Sequence, residues 1–261
     1  MQKEEIKFRD STIFEGMTSI RALIRAMDEK ISDRRILTVL YDRTKEDKNR
    51  KEIGYLKAVS EKYGFSVRSA ETDEIDAITL GNSSGGIVCF AGERTIPPLP
   101  QDARLPRDGF YALIEGIEDP YNFGYALRSL YACGLDGILL PPRSWYSAAG
   151  VVCRSSAGAS ELIPAFTVSP CEAAVFFAAQ GYTVVCADER TEALLGDTVL
   201  KKPLLLIVGG ERRGVSRALL DLCHLRVRIP YARPFSASLS AASAVTMFAY
   251  EIMRQNLPTV R

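Results

Sequence analysis

In the middle of the chain, the pattern of apolar and polar positions predicts a strand, a helix and a second strand. Residues 111–116, YALIEG, are typical of a buried strand, and Asp119 with Pro120 marks a turn and a helix start. Apolar residues then recur at helical spacing until Gly134, which ends the helix, and the apolar run 137–140 is the next strand. Because a helix connects the two strands, this is a βαβ unit whose strands are most simply parallel.

Two polar residues on this predicted helix are candidates for function. Asn122 lies near the start of the helix, and Arg128 lies off its apolar stripe, near the carboxyl end. A purely structural alternative is that Asn122 is the N-cap and that Arg128 caps the last turn. The pattern by itself leaves both interpretations open.

A second apolar run, Leu204–Val208, is predicted to be a strand that leads into the glycine-rich turn GGERRG and then into a helix from about Ser216. Ligands often bind at such strand-to-helix turns. A nucleoside triphosphate is not the expected ligand, because Val215 and Ser216 follow the last glycine where a phosphate-binding loop requires Lys and then Ser or Thr. The sequence also contains no GxGxxG dinucleotide motif.

Later segments extend the same architecture. Residues 226–255 are predicted to form a short strand, a proline-containing loop and a helix that ends near Gln255. A capping box at Ser169–Glu172, followed by Gly181, predicts another helix between strands. From Phe110 onward the chain is therefore predicted to form a mostly parallel α/β sheet.

The front of the chain, from about Gly16 to Phe90, also alternates predicted helices and strands. We interpret residues 1–93 as a small α/β domain and residues 94–108, which are rich in proline and lack apolar periodicity, as an extended linker. Residues 109–261 then form a second domain. With 261 residues and 47% hydrophobic content, the chain is large enough for two cores.

Composition excludes several classes of protein. No apolar run reaches the roughly 18 residues of a membrane span, and the charged start is unlike a signal peptide, so we expect a cytoplasmic protein that does not bind membranes. The six cysteines contain no CxxC pair, which favours reduced core residues and no metal site. His224 is the single histidine, which excludes HExxH zinc chemistry and a Ser-His triad, and it is predicted to lie at a helix end.

Taken in order, the three segments resemble the motifs of the SpoU (TrmH) family of RNA ribose 2′-O-methyltransferases, within the SPOUT class. The positions that match its first, second and third motifs are Asn122, Gly124 and Arg128; Gly209, Glu211 and Gly214; and Ile229, Pro230, Ser238 and Leu239. The chain departs from the family in the third motif. Ser240 replaces the usual Asn, and Arg233 with Pro234 lies in a loop that is one residue longer and lacks the usual Gly.

The resemblance implies that S-adenosyl-L-methionine is the methyl donor and that ribosomal or transfer RNA is the substrate. It gives the proton-handling role to Arg128, either as a transient base or as a charged group that orients a phosphate while water takes the proton. Asn122 is expected to orient the ribose or Arg128, and Glu211 to anchor the same network. The expected donor-binding residues are Ala187, Val208, Gly209, Gly210, Gly214, Ile229, Ser238 and Leu239.

The net charge of +1 gives no indication of nucleic acid, but the segment 201–233 carries eight basic and two acidic residues. Around the second and third motifs, such a surplus favours a phosphate-binding surface. A solvated rim or a dimer interface is the alternative. Arg212, Arg213 and Arg233 are the expected RNA-binding residues.

Resemblance to the SPOUT class also implies a deep trefoil knot near the carboxyl end, where the second and third motifs fold together, although connection rules disfavour knots. It implies a homodimer with the first-motif helix and the last helix at the interface. The front of the chain resembles the small, ribosomal-protein-like substrate-binding domain that often precedes the catalytic domain, and residues 86–88 match it. An unrelated α/β cap domain is the alternative.

Two other functions stay open at this point. An RNA-binding protein of the same fold without methyl transfer is suggested by Ser240 and the altered loop, and opposed by the presence of Asn122, Arg128 and Glu211. A generic nucleotide-binding α/β protein is disfavoured, because both the phosphate-loop lysine and the dinucleotide motif are missing.

Overall fold

The computed structural model describes most of the chain, in the residue ranges 13–80, 84–142, 148–210 and 214–257. Contacts divide the chain into two compact units, named unit 1 and unit 2 below. Unit 1 consists of residues up to Thr95 and of residues 145–162, and unit 2 consists of residues 96–144 and 163–261. The segment 145–162 thus belongs to a different contact unit from the rest of the predicted second domain.

The elements are numbered in chain order. The strands are β1 (Ile13–Glu15), β2 (Ile36–Asp42), β3 (Ser66–Ala70), β4 (Ile87–Ala91), β5 (Phe110–Ile114), β6 (Gly137–Leu140), β7 (Ala165–Thr167), β8 (Thr183–Ala187), β9 (Leu204–Val208) and β10 (Leu225–Val227). The helices are α1 (Gly16–Asp28), α2 (Arg50–Tyr63), α3 (Thr72–Ile78), α4 (Pro120–Ala132), α5 (Ala149–Ser155), α6 (Ala159–Leu162), α7 (Pro170–Ala179), α8 (Arg217–Leu220) and α9 (Ala241–Asn256).

Unit 1 is built on a four-stranded sheet in the order β1-β4-β2-β3. Strands β2 and β3 are parallel, and the other neighbours are antiparallel. Helices and strands alternate here from Gly16 to Phe90, as the sequence pattern predicts. The core of this unit also takes in Ala149 and Cys153 of α5, which explains why the segment 145–162 packs with it.

A buried ion pair also fixes this segment in unit 1. The Arg34 Nε atom donates to Glu161 Oε2 of α6 at 3.1 Å, and the two side chains are only 3% and 0% exposed. Arg34 donates a second hydrogen bond to the Gly92 carbonyl oxygen, and its guanidinium lies 5.0 Å from the centre of the Phe14 ring. The buried guanidinium is therefore both paired and hydrogen-bonded, as a buried charge requires.

Unit 2 contains a six-stranded sheet in the order β10-β8-β9-β5-β6-β7, in which every neighbouring pair is parallel. This confirms the predicted mostly parallel α/β sheet. The central strands β5 and β9 are buried at every position, because a parallel sheet is covered on both faces. The predicted βαβ unit is observed as β5, α4 and β6, and Gly134 follows α4 with φ of 84°.

The carboxyl-terminal part of the predicted linker belongs to unit 2. The Leu99 N–H donates to the Thr167 carbonyl oxygen at 2.9 Å, and the Thr167 N–H donates to the Pro97 carbonyl oxygen at 2.8 Å. Residues 97–99 thus pair beside β7 at the edge of the sheet, and Leu99 is buried in the core.

Two local predictions are wrong, although the elements that they mark are present. Ser169 is the N-cap of α7 but makes no side-chain capping hydrogen bond, so the capping box does not form. His224 lies directly before β10 rather than at a helix end. Its N–H donates to the Val184 carbonyl oxygen at 2.9 Å and its Nδ1 accepts from the Val184 N–H at 3.0 Å, which extends the pairing of β8 and β10.

Candidate functional site

The strand order of unit 2 reverses beside β5. After β5 the chain continues to β6 and β7 on one side of the sheet and then returns to β8 and β9 on the other side. The carboxyl ends of the parallel neighbours β5 and β9 therefore border a topological switch point. Open α/β sheets usually bind their ligands in the crevice at such a point.

Just beyond this point the two backbones stay in close contact. The Glu115 N–H donates to the Val208 carbonyl oxygen at 3.0 Å. A Cβ atom on Gly116 would lie 2.7 Å from the Gly210 Cα, closer than real Cβ atoms approach other atoms. The absence of a side chain at Gly116 thus lets the backbone after β5 approach the backbone after β9 this closely.

The glycine-rich turn after β9 is closed at its base. Gly210 and Gly214 exchange two backbone hydrogen bonds of 2.9 and 3.2 Å. A Cβ atom on Gly209 would lie 2.6 Å from the Val215 nitrogen, and Gly214 has φ of 62°, so this tight turn needs glycine at both ends. The predicted site residues Glu211, Arg212 and Arg213 lie outside the described residues.

Three more predicted donor-binding residues lie along the same edge of the sheet. Val208 ends β9, Ala187 ends the neighbouring strand β8, and Ile229 follows the end of β10, which pairs with β8. Because all of these strands are parallel, their carboxyl ends share one edge, with neighbouring strands about 4.8 Å apart. The edge next to the switch point therefore combines backbone groups from both the second and the third motif.

The third-motif loop is folded back on itself. The Leu239 N–H donates to the Tyr231 hydroxyl at 3.2 Å, and the Ser238 hydroxyl donates to Glu189 Oε2 at 3.4 Å. Ser240, which stands where the resembled family has Asn, is the N-cap of α9 and accepts from the Ser243 N–H at 3.2 Å. The backbone N–H of Leu239, which was expected to contact the donor, is engaged by Tyr231 in this structure.

The helix α4 carries the two polar residues of the first motif. Asp119 is its N-cap and accepts from the Tyr121 N–H at 2.9 Å, so the alternative in which Asn122 caps the helix is wrong. Asn122 is half-buried in the first turn. The last turn contains no basic residue, so the alternative in which Arg128 caps that turn is also wrong.

Arg128 is exposed on a face of α4 that also carries Tyr121 and Tyr125. These three residues are four and three positions apart, which places them on one side of a helix. Next to α4 packs α9, where the Ser129 and Thr246 hydroxyls are 2.6 Å apart. The exposed face of α4 therefore carries Arg128 together with two tyrosine rings.

Two basic residues of the segment 201–233 lie away from the glycine turn. Lys201 and Lys202 precede β9 and lie at the opposite edge of the sheet from the glycine turn. Arg226 donates to the Leu220 carbonyl oxygen and pairs with Asp221 at 3.2 Å. The predicted surplus of positive charge around the second and third motifs therefore does not include Lys201 and Lys202, whereas Arg233 is exposed in the third-motif loop.

Sequence reasoning did not identify Glu115, which directly follows β5 at the switch point. Burial raises the pKa of its carboxyl group, and a hydrogen bond from the Ser216 N–H opposes this shift. The Oε2 atom is buried and has no hydrogen-bond partner among the described residues. In the sequence, Glu115 could have been noticed as an acidic residue directly after the apolar residues of a predicted strand.

Metal chemistry finds no support in the described residues. No group of three His, Cys, Asp or Glu side chains in that part of the chain could hold a metal ion. The six cysteines are free thiols. No helix in the described ranges has both the length and the hydropathy needed to cross a membrane.

Comparison with known proteins identifies the family. The model of the SpoU rRNA Methylase family matches residues 109–250, which is more than half of the chain. This protein belongs to the SpoU rRNA methylase family. The match includes β5, α4, β9, the glycine turn and the third-motif loop, so the SpoU region contains all of the site elements described above.

Two curated relatives illustrate how far the similarity of this SpoU family member extends. A putative TrmH family tRNA/rRNA methyltransferase of Staphylococcus haemolyticus is 30% identical over 144 residues, which cover 55% of this chain and 57% of that protein. The match thus spans little more than half the length of that relative. The 23S rRNA (guanosine-2′-O-)-methyltransferase RlmB of Shewanella oneidensis is 26% identical over 262 residues, which cover 98% of this chain and 99% of that protein.

Solved structures of SpoU-type methyltransferases share the fold. The AdoMet-bound rRNA methyltransferase from Sinorhizobium meliloti has a TM-score of 0.78 at 22% identity, with 98% of this chain and 95% of that chain covered. The SpoU methyltransferase AviRb from Streptomyces viridochromogenes, in complex with AdoMet, has a TM-score of 0.71 at 24% identity, with 93% and 89% covered. At these identities the similarity establishes the fold alone.

Proposed function

We propose that this SpoU family member transfers the methyl group of S-adenosylmethionine to a ribose 2′-hydroxyl of ribosomal or transfer RNA in the cytoplasm. Family membership over residues 109–250 supports the reaction class, and similarity over nearly the whole chain to a 23S rRNA 2′-O-methyltransferase supports the ribose as acceptor. The observation that carries the proposal is the close approach of the β5 and β9 ends at the switch point, with the glycine turn beside it.

The residues at this edge fit the proposed donor. When bound, S-adenosylmethionine supplies a methyl group on a positively charged sulfonium, and it also has ammonium and ribose hydroxyl donors. Glu115 Oε2 is a buried acceptor without a partner among the described residues, so it can accept a hydrogen bond from such a group. Backbone groups of Val208, Gly210 and Ile229 line the same edge and can hold a nucleoside.

The chain must align the ribose oxygen with the methyl group and handle one proton. Alignment of the reacting atoms can supply much of the rate. Arg128 handles the proton in one of two ways: it accepts it transiently, or it stays charged and orients a phosphate while water accepts it. Asn122, in the first turn of the same helix, orients the ribose or Arg128, and Glu211 anchors the network from the glycine turn.

We further propose a homodimer that is formed through α4 and α9. Four large side chains on these two helices are 41–55% exposed, namely Tyr121, Tyr125, Met247 and Tyr250. A patch of such residues in a monomer is typical of an interaction site. Arg128 shares its face with two of these tyrosines, so each RNA site in the dimer would draw on residues from both copies.

We also propose a trefoil knot that involves the glycine turn and the third-motif loop, which the resemblance to SPOUT enzymes supports. Residues 1–93 are proposed to bind the RNA substrate, and residues 109–261 to form the catalytic domain. Arg212, Arg213 and Arg233 are proposed to contact RNA phosphates, because the affinity of such contacts comes from charge.

A transfer assay with methyl-labelled donor and bulk cellular RNA tests this function. We expect labelled RNA with the natural chain, and a decrease of about 10² to 10⁴-fold for Arg128→Ala if proton handling is lost. Donor binding, measured by calorimetry, should be retained in that variant. The matched control is Arg107→Ala, an exposed arginine before β5 at the opposite edge of the sheet, which should keep full activity.

Three outcomes are informative. Full activity of Arg128→Ala would remove Arg128 from the mechanism. RNA binding without any label transfer would support instead a binding protein of the same fold. Failure of the natural chain to bind the donor would contradict the proposed pocket.

A further inference from the structure

Two aromatic rings project into solvent from the loop Pro230–Ser238, termed the aromatic loop below. Tyr231 is 42% exposed and Phe235 is 60% exposed. Their ring centres are 6.0 Å apart with an angle of 65° between the ring planes, which is an edge-to-face contact. The described part of the chain therefore leaves a pair of contacting aromatic rings uncovered next to the candidate site.

The position of these rings is fixed rather than arbitrary. The Tyr231 hydroxyl accepts the Leu239 N–H at 3.2 Å, which ties the first ring to the far end of the loop. Pro230 and Pro234 restrict the backbone dihedral φ on either side of the segment between them. The Ser238 hydroxyl donates to Glu189, which holds the loop's carboxyl end. A ring pair that is already ordered loses little entropy when it binds a flat ligand.

Charge indicates what kind of flat ligand the loop would bind. The nine residues of the aromatic loop include one charged residue, Arg233, and no acid. Arg233 is exposed and lies between the two aromatic residues in the sequence. Aromatic faces beside an arginine are the usual surface on which proteins stack unpaired nucleobases, and the guanidinium can contact the adjoining phosphate.

We propose that Tyr231 and Phe235 form a stacking site for an unpaired nucleobase of the substrate RNA, with Arg233 on its phosphate. This inference rests on the proposed RNA function. The aromatic loop begins directly after Ile229 and ends directly before Leu239, and both of these third-motif residues are expected to hold the donor. The stacked base therefore belongs to a nucleotide at or next to the one that is methylated.

A stacking site of this kind selects RNA that has unpaired bases. Bases inside a duplex present no free face to an aromatic ring, whereas bases in loops, bulges and single strands do. The target nucleotide thus lies in an unpaired or locally opened RNA segment. A fully paired helix would contact this surface only through its phosphates.

The test compares binding of a fluorescently labelled single-stranded RNA oligonucleotide with binding of the same sequence as a duplex. Phe235→Ala should weaken single-strand binding by about tenfold, since loss of a stacked base typically weakens binding by about 5- to 150-fold. Phe235→Trp should keep the affinity, and duplex binding should change little in either variant. Val199→Ala, which truncates a side chain that is 68% exposed elsewhere in unit 2, is the control and should have no effect.

Each other result would overturn the stacking site. Unchanged single-strand binding by Phe235→Ala, or equal loss for the duplex, would exclude base stacking. A loss of donor affinity in calorimetry would mean that the ring covers the donor, and a shift in sedimentation would mean that a second copy covers it. If the expected binding pattern is found but the natural chain transfers no methyl group, the stacking site stands and the proposed reaction fails.

Discussion

A Cβ atom on Gly116 would lie 2.7 Å from the Gly210 Cα, so the end of β5 and the glycine turn after β9 are in contact with no space for a side chain between them. This contact is between backbones, which cannot move aside as a flexible side chain does. The relative position of the first and second motifs therefore depends on Gly116, which is not itself a residue of either motif.

Replacing Gly116 with Ala should push the glycine turn away from β5. We expect donor affinity to fall, and the free energy of unfolding to fall by about 1–3 kcal/mol, as in other overpacked sites. Calorimetric donor titration and chemical denaturation measure the two effects. Gly196→Ala is the matched control, because a Cβ there meets nothing within 4 Å. Equal donor affinity for Gly116→Ala and the natural chain would show that this backbone contact does not shape the pocket.

The buried pair of Arg34 and Glu161 should be important for the stability of unit 1. Arg34→Ala leaves the Glu161 carboxylate buried without its partner, so we expect a loss of about 3–5 kcal/mol in the free energy of unfolding. The control is Arg50→Ala, which breaks a pair with Asp47 whose side chains are 79% and 92% exposed. That change should cost less than about 1 kcal/mol. Similar losses for both variants would contradict this assignment.

The lowered pKa of Asp42 makes the free energy of unfolding depend on pH. Burial opposes the charge of this carboxylate, but hydrogen bonds from Thr44, Lys45 and Thr72 outweigh burial and lower its pKa to about 2. Because the folded-state pKa is below the unfolded value near 3.8, the contribution is present at neutral pH and is lost as the pH falls from about 4 to about 2.

Asp42→Asn should therefore be less stable than the natural chain at pH 7, by about 1–3 kcal/mol for hydrogen bonds to a buried charged group. Urea denaturation at a series of pH values measures this difference. We expect it to shrink towards acid pH as the natural chain loses its carboxylate charge. A difference that stays constant down to pH 2 would contradict the assigned role of the charge.

The proposed dimer interface on α4 and α9 can be tested with one charge. Tyr250→Glu places a carboxylate on a residue that is 55% exposed in the single chain and buried in the proposed dimer. Self-association, measured by sedimentation velocity, should weaken about 30-fold or more, as for a central interface residue. Val175→Glu, on α7 and also 55% exposed, should leave the association unchanged. A natural chain that stays monomeric at all concentrations would contradict the interface.

The sequence predicts the unit 2 sheet well because its buried strands are short, continuous apolar runs, whereas apolar residues recur at helical spacing in its helices. Leu204–Val208 and residues 137–140 are continuous apolar runs, and each is observed as a buried strand. The sequence suggests that Lys202 lies near the second motif, because the two are close in sequence. A strand separates them, however: Lys202 lies just before the start of β9, and the glycine turn follows the end of β9.

The packing of residues 145–162 was also not predictable from local pattern. Glu161 is an acid in a short helix, and nothing around it in the sequence indicates that it is fully buried against Arg34, more than a hundred residues earlier. Glu115 illustrates the same limit, since its hydrogen bond with Ser216 joins residues about a hundred positions apart in the sequence. Long-range pairs of this kind are determined by tertiary packing and leave no periodic signal.

The position of the methyl group in the product RNA tests the central claim most directly. RNA that has been incubated with labelled donor is hydrolysed with alkali, and the labelled fragments are then identified by mass. Because a 2′-O-methyl group blocks cleavage at the adjacent phosphate, the proposed function predicts that the label stays in an alkali-resistant dinucleotide, on the ribose. Label on a base, or in a free mononucleotide after hydrolysis, would contradict ribose 2′-O-methylation.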